Sequence, residues 1–156
     1  MKGVTIKDAT KNDFKEIFNH RKEFGIATPT QNTHTLVARS STGTLLGFLE
    51  LAYTREKSIE IKRLAVREKY KRIGIARKLT GVARSIAIKE KKQIKVYSRR
   101  EPDAQNFWKI KQGFKTIPEK DNYSILEELS LKPTSIKRKK NSILKKSIAR
   151  LGLRKR

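Results

Sequence analysis

The chain reads as a mixed α/β (α+β) fold: a mostly antiparallel sheet of six to seven strands flanked by helices over residues 1–131, then a basic linker and an amphipathic helical or disordered tail over residues 132–156. Three features predict it. Residues 60–79, EIKRLAVREKYKRIGIARKL, run as an alternating strand, a basic turn and a helix opened by Gly74. Residues 35–53 hold two apolar runs joined by Ser41-Thr42-Gly43, which is the pattern of a β-hairpin. Elsewhere apolar residues recur at three- and four-residue steps, as helices packed on a sheet require. At 156 residues without a repeat, the chain is about one domain long.

Taken in order, Val4-Thr5-Ile6-Lys7-Asp8 alternates as an edge strand. Thr10 or Asn12 then caps a helix carrying Phe14, Ile17, Phe18 and Arg21 at helical spacing. Thr35 to Arg39 and Leu45 to Tyr53 form the hairpin, and a turn around Arg55-Glu56-Lys57 leads to the strand ending at Val66. Leu79, Val82, Ala83 and Ile86 make the central helix amphipathic. Ile94 to Tyr97 is the next strand, and Glu101-Pro102-Asp103-Ala104 opens a helix running through Phe107 and Trp108, with proline suited to its first turn. Gly113-Phe114 ends that helix and begins a strand to Ile117, and Tyr123 to Leu129 is the last strand.

The strand-to-helix turn at 67–74 is the chemical centre. Unpaired N–H groups and the positive end of a helix dipole meet there, which stabilises an anion, above all a phosphate. Eight Lys/Arg and one acidic residue lie between Lys62 and Lys78. Neither GxxxxGK followed by Ser or Thr nor GxGxxG occurs, so the two commoner nucleotide loops are absent.

The turn Lys71-Arg72-Ile73-Gly74-Ile75-Ala76, preceded by Leu64-Ala65-Val66 and Tyr70, resembles the acetyl-CoA turn of the GNAT N-acetyltransferase superfamily, Arg/Gln-x-x-Gly-x-Gly/Ala. Lys71 replaces the Arg or Gln, keeping the charge but losing the planar fork. A second family segment, Asn-Pro-x-Ala-x-x-Phe-Tyr-x-x-x-Gly-Phe, is matched by Glu101-Pro102-Asp103-Ala104-Gln105-Asn106-Phe107-Trp108, then by Gly113-Phe114 after one extra residue. The resemblance covers about residues 3–131 and implies an acetyl-CoA-dependent N-acetyltransferase. It implies cofactor contacts from Leu64, Ala65, Val66, Lys71, Arg72, Ile73, Gly74, Ile75, Ala76, Arg77, Phe107 and Trp108. The short Gly25 to Asn32 loop stands where the family often has a longer helical cover, which suits a large acceptor.

Acetyl transfer needs a deprotonated amine, a site for the carbonyl oxyanion and a proton for the thiolate. The resemblance assigns the first to Glu60, through water, and the second to the backbone N–H of Leu64. The third departs from the family, because Trp108 stands where many relatives carry a proton-donating Tyr. Tyr97, Tyr123, Lys109 or water has to serve instead.

The absence of cysteine excludes disulfides, thiol nucleophiles and Cys-bearing zinc sites, and two separated histidines give no metal site. The start, MKGVTIKD, has no apolar leader and no membrane span is evident, so a soluble cytoplasmic protein is expected. The charge is the outlying feature: 39 Lys/Arg against 15 Asp/Glu, net +24. The last 25 residues hold 11 of those cations and no acid. There Ile143, Leu144, Ile148 and Leu151 form one helical stripe, with Lys137, Arg138, Lys139, Lys140, Lys145, Lys146 and Arg150 as candidate contacts to nucleic acid. Two readings follow. One is an acetyltransferase whose acceptor amine is on or near a polyanion. The other is a non-catalytic protein of the same fold that binds nucleic acid, a ribosome or a virion.

Overall fold

The computed structural model describes residues 3–26, 33–55, 58–99, 101–116 and 126–131. In chain order these form β1 (Val4–Asp8), α1 (Lys11–Asn19), β2 (His34–Ser40), β3 (Leu45–Tyr53), β4 (Ser58–Val66), a 3₁₀ turn (Glu68–Tyr70), α2 (Ile75–Lys89) and β5 (Gln93–Arg99). They continue with α3 (Pro102–Gln105), a π-helical turn (Asn106–Lys111), β6 (Lys115–Thr116) and β7 (Leu126–Leu131). The seven strands make one sheet in the order β1-β2-β3-β4-β5-β7-β6. Every pairing is antiparallel except β4 with β5. A parallel pair needs a crossover, and α2 supplies it.

The sheet has an apolar cluster on each face. On one face α2 sets Ile75, Leu79, Ala83 and Ala87, at successive helical turns, against Leu49, Leu51, Ile59, Ile61, Ile94 and Val96. On the other, Ile17 of α1 and Phe24 pack on Val37, Leu45 and Phe48, with Ala65 at the margin. Alternate strand residues therefore serve opposite cores: Leu64 and Val66 face α2, and Ala65 faces α1.

Helix α1 starts with a capping box. The Thr10 hydroxyl accepts from the Asp13 N–H, and the Asp13 carboxylate accepts from the Thr10 N–H at 2.7 Å. Phe18 departs from the expected apolar face: the helix stops at Asn19, and Phe18 is exposed beneath the Arg21 guanidinium. The expected single helix through Trp108 is likewise corrected. It is one turn of α-helix and then a π-turn, with Gln112 N–H reaching back five residues to Phe107 O. The extra residue before Gly113 is absorbed there, since a π-turn takes up an insertion without ending the helix.

The last strand is described over Leu126–Leu131, and the expected first part of it, Tyr123 to Ile125, lies outside the described residues. So do residues 27–32, 56–57, 117–122 and the whole basic tail. Among the described residues no helix is long and apolar enough to cross a membrane.

Candidate active site

Strand β4 is irregular where it matters. Glu50 pairs with Arg63 but Leu51 pairs with Ile61, so Lys62 is an extra residue, a bulge that bends the strand. The parallel pairing of β4 with β5 stops at Ile61 and Val96. Beyond that point the two strands diverge and open the sheet.

The direction of the free backbone groups follows from alternation. Arg67 N–H donates to Leu46 O on β3 at 3.0 Å. Successive strand residues point their N–H and C=O groups to opposite sides, so those of Ala65 also face β3 and those of Leu64 and Val66 face the opening. The carbonyl of Ala65 faces β3: a Cβ on Gly47 of β3 would lie 2.6 Å from it, so only glycine fits there.

The chain then forms the basic turn. Arg72 and Gly74 both adopt left-handed backbone, at φ 63° and 88°. At Gly74 this makes glycine the unstrained choice. The first hydrogen bond of α2 runs from Lys78 N–H to Gly74 O, so the N–H groups of Ile75, Ala76 and Arg77 have no acceptor within the helix. Three outward N–H groups at the positive end of a 15-residue helix fit a pyrophosphate.

Opening and turn merge into one cleft of about 1090 Å³. Of the expected cofactor residues, Leu64, Val66, Lys71, Arg72, Ile73, Gly74, Ile75, Ala76, Arg77, Phe107 and Trp108 line it together. Ala65 does not, because its side chain faces the α1 core. Trp108 is only 7 % exposed and meets the rings of Phe107 and Phe114 edge-on, at 4.8 and 5.3 Å between centroids. Its indole is therefore a wall of the cleft that is packed into the core.

Glu60 lies one residue outside the lining, on the α1 side of β4, with its Oε1 2.8 Å from Lys62 Nζ. Tyr97, directly after Val96, lines the cleft and is 46 % exposed. Tyr123 lies outside the described residues. Sequence reasoning missed Ser98, Asn106 and Lys111, which also line the cleft. The signal for the last two was the extra residue before Gly113, whose π-turn sets which side chains face inward. Among the described residues no group of three or more His, Asp or Glu is placed to hold a metal.

The family model described as an acetyltransferase (GNAT) domain matches residues 5–124, so the chain belongs to the GNAT acetyltransferases, N-acyltransferases that use an acyl-CoA cosubstrate. No curated protein matches the sequence. Solved structures share the fold at low identity. An IAA acetyltransferase from Bacillus cereus is 21% identical, with a TM-score of 0.64, covering 83% of this chain and 99% of its own. PaiA N-acetyltransferase from Thermoplasma acidophilum, in complex with coenzyme A, is 18% identical, with a TM-score of 0.67 and coverage of 83% and 98%. The ribosomal-protein-S18-alanine N-acetyltransferase of Escherichia coli is 13% identical, with a TM-score of 0.68 and coverage of 87% and 97%.

Proposed function

We propose that this enzyme transfers an acetyl group to a primary amine carried on, or close to, a polyanion, such as a charged transfer RNA, a modified base or a basic protein in a nucleoprotein assembly. The observation that carries the catalytic part is the splay of β4 from β5 after Ile61 and Val96, with the Leu64 N–H directed into it. A fixed donor at that point stabilises the oxyanion that develops on the thioester carbonyl. The bound acyl-CoA supplies the activated thioester, and the chain's own residues do the rest.

Glu60, held at rest by Lys62, takes a proton from the ammonium through a water. The amine nitrogen bonds the carbonyl carbon, the adduct's nitrogen gives up its second proton to solvent, and the C–S bond breaks with its electron pair leaving on sulfur. Tyr97, across the opening on the same side as Glu60, donates its phenolic proton to the thiolate and is reprotonated from solvent. With a thiol pKa near ~8.5, the thiolate departs tolerably even without that help.

The polyanion part rests on charge beyond what the cofactor requires. Residues 58–99 hold 14 Lys/Arg against three Glu, and the tail adds 11 cations without an acid. The test is incubation with acetyl-CoA and a panel of free, protein-borne and RNA-borne amines, following thiol release and product mass. Acetylation of the polyanion-borne amines in preference to free ones is the expected result. Equal use of free amines would remove the polyanion, and no turnover with any amine would remove the activity.

A further inference from the structure

We infer that Lys111 is a specificity-determining residue for the cosubstrate: its ammonium holds the 3′-phosphate of the acyl-CoA, so that the enzyme discriminates CoA thioesters from their 3′-dephospho forms. This rests on the reading of the cleft as the acyl-CoA site, with the pyrophosphate on the turn that opens α2. Coenzyme A carries a further phosphate beyond its pyrophosphate, a monoester on the ribose with a charge of about −1.5 to −2 at neutral pH. The N–H groups of Ile75, Ala76 and Arg77 are taken up by the pyrophosphate, so the monoester needs a cation of its own.

Six cations line the cleft, and their ion pairs sort them. Lys62 is held by Glu60 at 2.8 Å, Arg63 by Glu50 at 3.8 Å and Lys71 by Glu68 at 2.5 Å. Arg72, Arg77 and Lys111 carry no ion pair among the described residues. Arg72 and Arg77 belong to the basic turn and the first turn of α2, on the pyrophosphate's own wall. Of these three, Lys111 alone stands on the other wall, at the end of the π-turn.

That wall is polarised. Asp103, in the first turn of α3, is the one acid among the described lining residues, and Phe107 and Lys111 follow it four and eight residues later. All three line the cleft, so the wall runs from a carboxylate past an aromatic ring to an ammonium. At a rise of ~1.5 Å per residue the two charges stand roughly 12 Å apart along the axis. The carboxylate repels a phosphate at the start of α3, and the ammonium attracts one at the far end. A lysine is a compact point charge with three donors on a flexible stem, which suits a tetrahedral monoester. Lys111 is exposed, so its pair with the phosphate stays open to solvent and is weakened by salt.

The experiment uses the full chain. CoA and 3′-dephospho-CoA are titrated calorimetrically, at low and high salt, into the wild type, Lys111→Ala, Lys111→Arg and Arg72→Ala. The readout is the ratio of the two Kd values within each protein, because a general change in the cleft moves both and cancels. The wild type should bind CoA at least about fivefold more tightly, with a smaller ratio at high salt. In Lys111→Ala the ratio should fall to within about twofold of unity, and Lys111→Arg should keep most of it. Arg72→Ala should weaken both ligands and keep the ratio. With the acetylated forms as cosubstrates, the same discrimination should appear in KM rather than kcat. A wild-type ratio near unity, or a ratio that survives Lys111→Ala, overturns the inference while leaving the cofactor cleft intact. Failure of the wild type to bind either ligand overturns the reading on which it rests.

Discussion

Arg39 Nε donates to Asp13 Oδ1 at 2.8 Å, tying the first turn of α1 to β2 across 26 positions of sequence. Burial alone raises the Asp13 pKa, but the Thr10 hydroxyl, the Thr10 N–H and Arg39 outweigh it and bring the group from 3.8 down to about 2. Because the folded value lies below the unfolded one, the stabilisation is complete above the unfolded pKa and is lost as pH falls toward the folded one. It is worth about 2 kcal/mol at neutral pH. Asp13→Asn should therefore unfold at lower urea than wild type at pH 7, and the gap should close between about pH 4 and 2. A gap that stays constant from pH 7 to 2.5 would mean that ionisation of Asp13 contributes nothing.

The phosphate turn makes a different demand. Gly74→Asp adds a side chain at a left-handed position and a negative charge among the N–H groups of Ile75, Ala76 and Arg77. Acetyl-CoA affinity should fall roughly 100-fold or more, since each charge-assisted hydrogen bond lost costs about 1.5–3 kcal/mol. Gly74→Asn, which tolerates left-handed backbone, adds similar bulk without charge and should lose less. Calorimetry on both variants, with circular dichroism to verify folding, separates the two causes. Wild-type affinity in the Asp variant would move the cofactor elsewhere.

At the acceptor side, Glu60→Gln should lower turnover by roughly 10²-fold near neutral pH, with a smaller deficit at high pH where the amine is already free. Acetyl-CoA affinity should hardly change, because Glu60 stands outside the cleft lining. A wild-type rate at pH 7 would return Glu60 to being the ion-pair partner of Lys62.

How much of this was legible depends on how local each cause is. Leu45 to Tyr53 reads correctly as a strand because alternation and the Ser41-Thr42-Gly43 turn are both short-range signals. Gly74 reads correctly as the mouth of α2 because a left-handed cap is a property of one residue. The bulge at Lys62 was not legible, since only the register against β3 shows which residue is extra. The inserted residue before Gly113 was visible, but where it is absorbed depends on Trp108 finding its place between Phe107 and Phe114. The Arg39–Asp13 and Arg63–Glu50 pairs join residues 26 and 13 positions apart, and no periodicity links them.

The basic tail gives the prediction on which the polyanion reading stands or falls. It is the densest source of non-specific attraction in the chain, with 11 Lys/Arg and no acid from Lys132 onward. Each phosphate neutralised by a cation contributes about −0.9 to the slope of log affinity against log salt for duplex DNA, and about −0.7 for single strands. Deleting Pro133 to Arg156 should weaken RNA and DNA binding and flatten that slope by roughly several units, while the affinity for acetyl-CoA, whose cleft is built from residues 61–111, stays unchanged. Fluorescence anisotropy at a series of salt concentrations measures the first, and calorimetry the second. An unaltered slope would put any nucleic-acid contact on the 58–99 segment instead. The stripe from Ile143 to Leu151 would then point to a protein or membrane partner, because an amphipathic helix that makes no phosphate contact is left with its apolar face as the binding element.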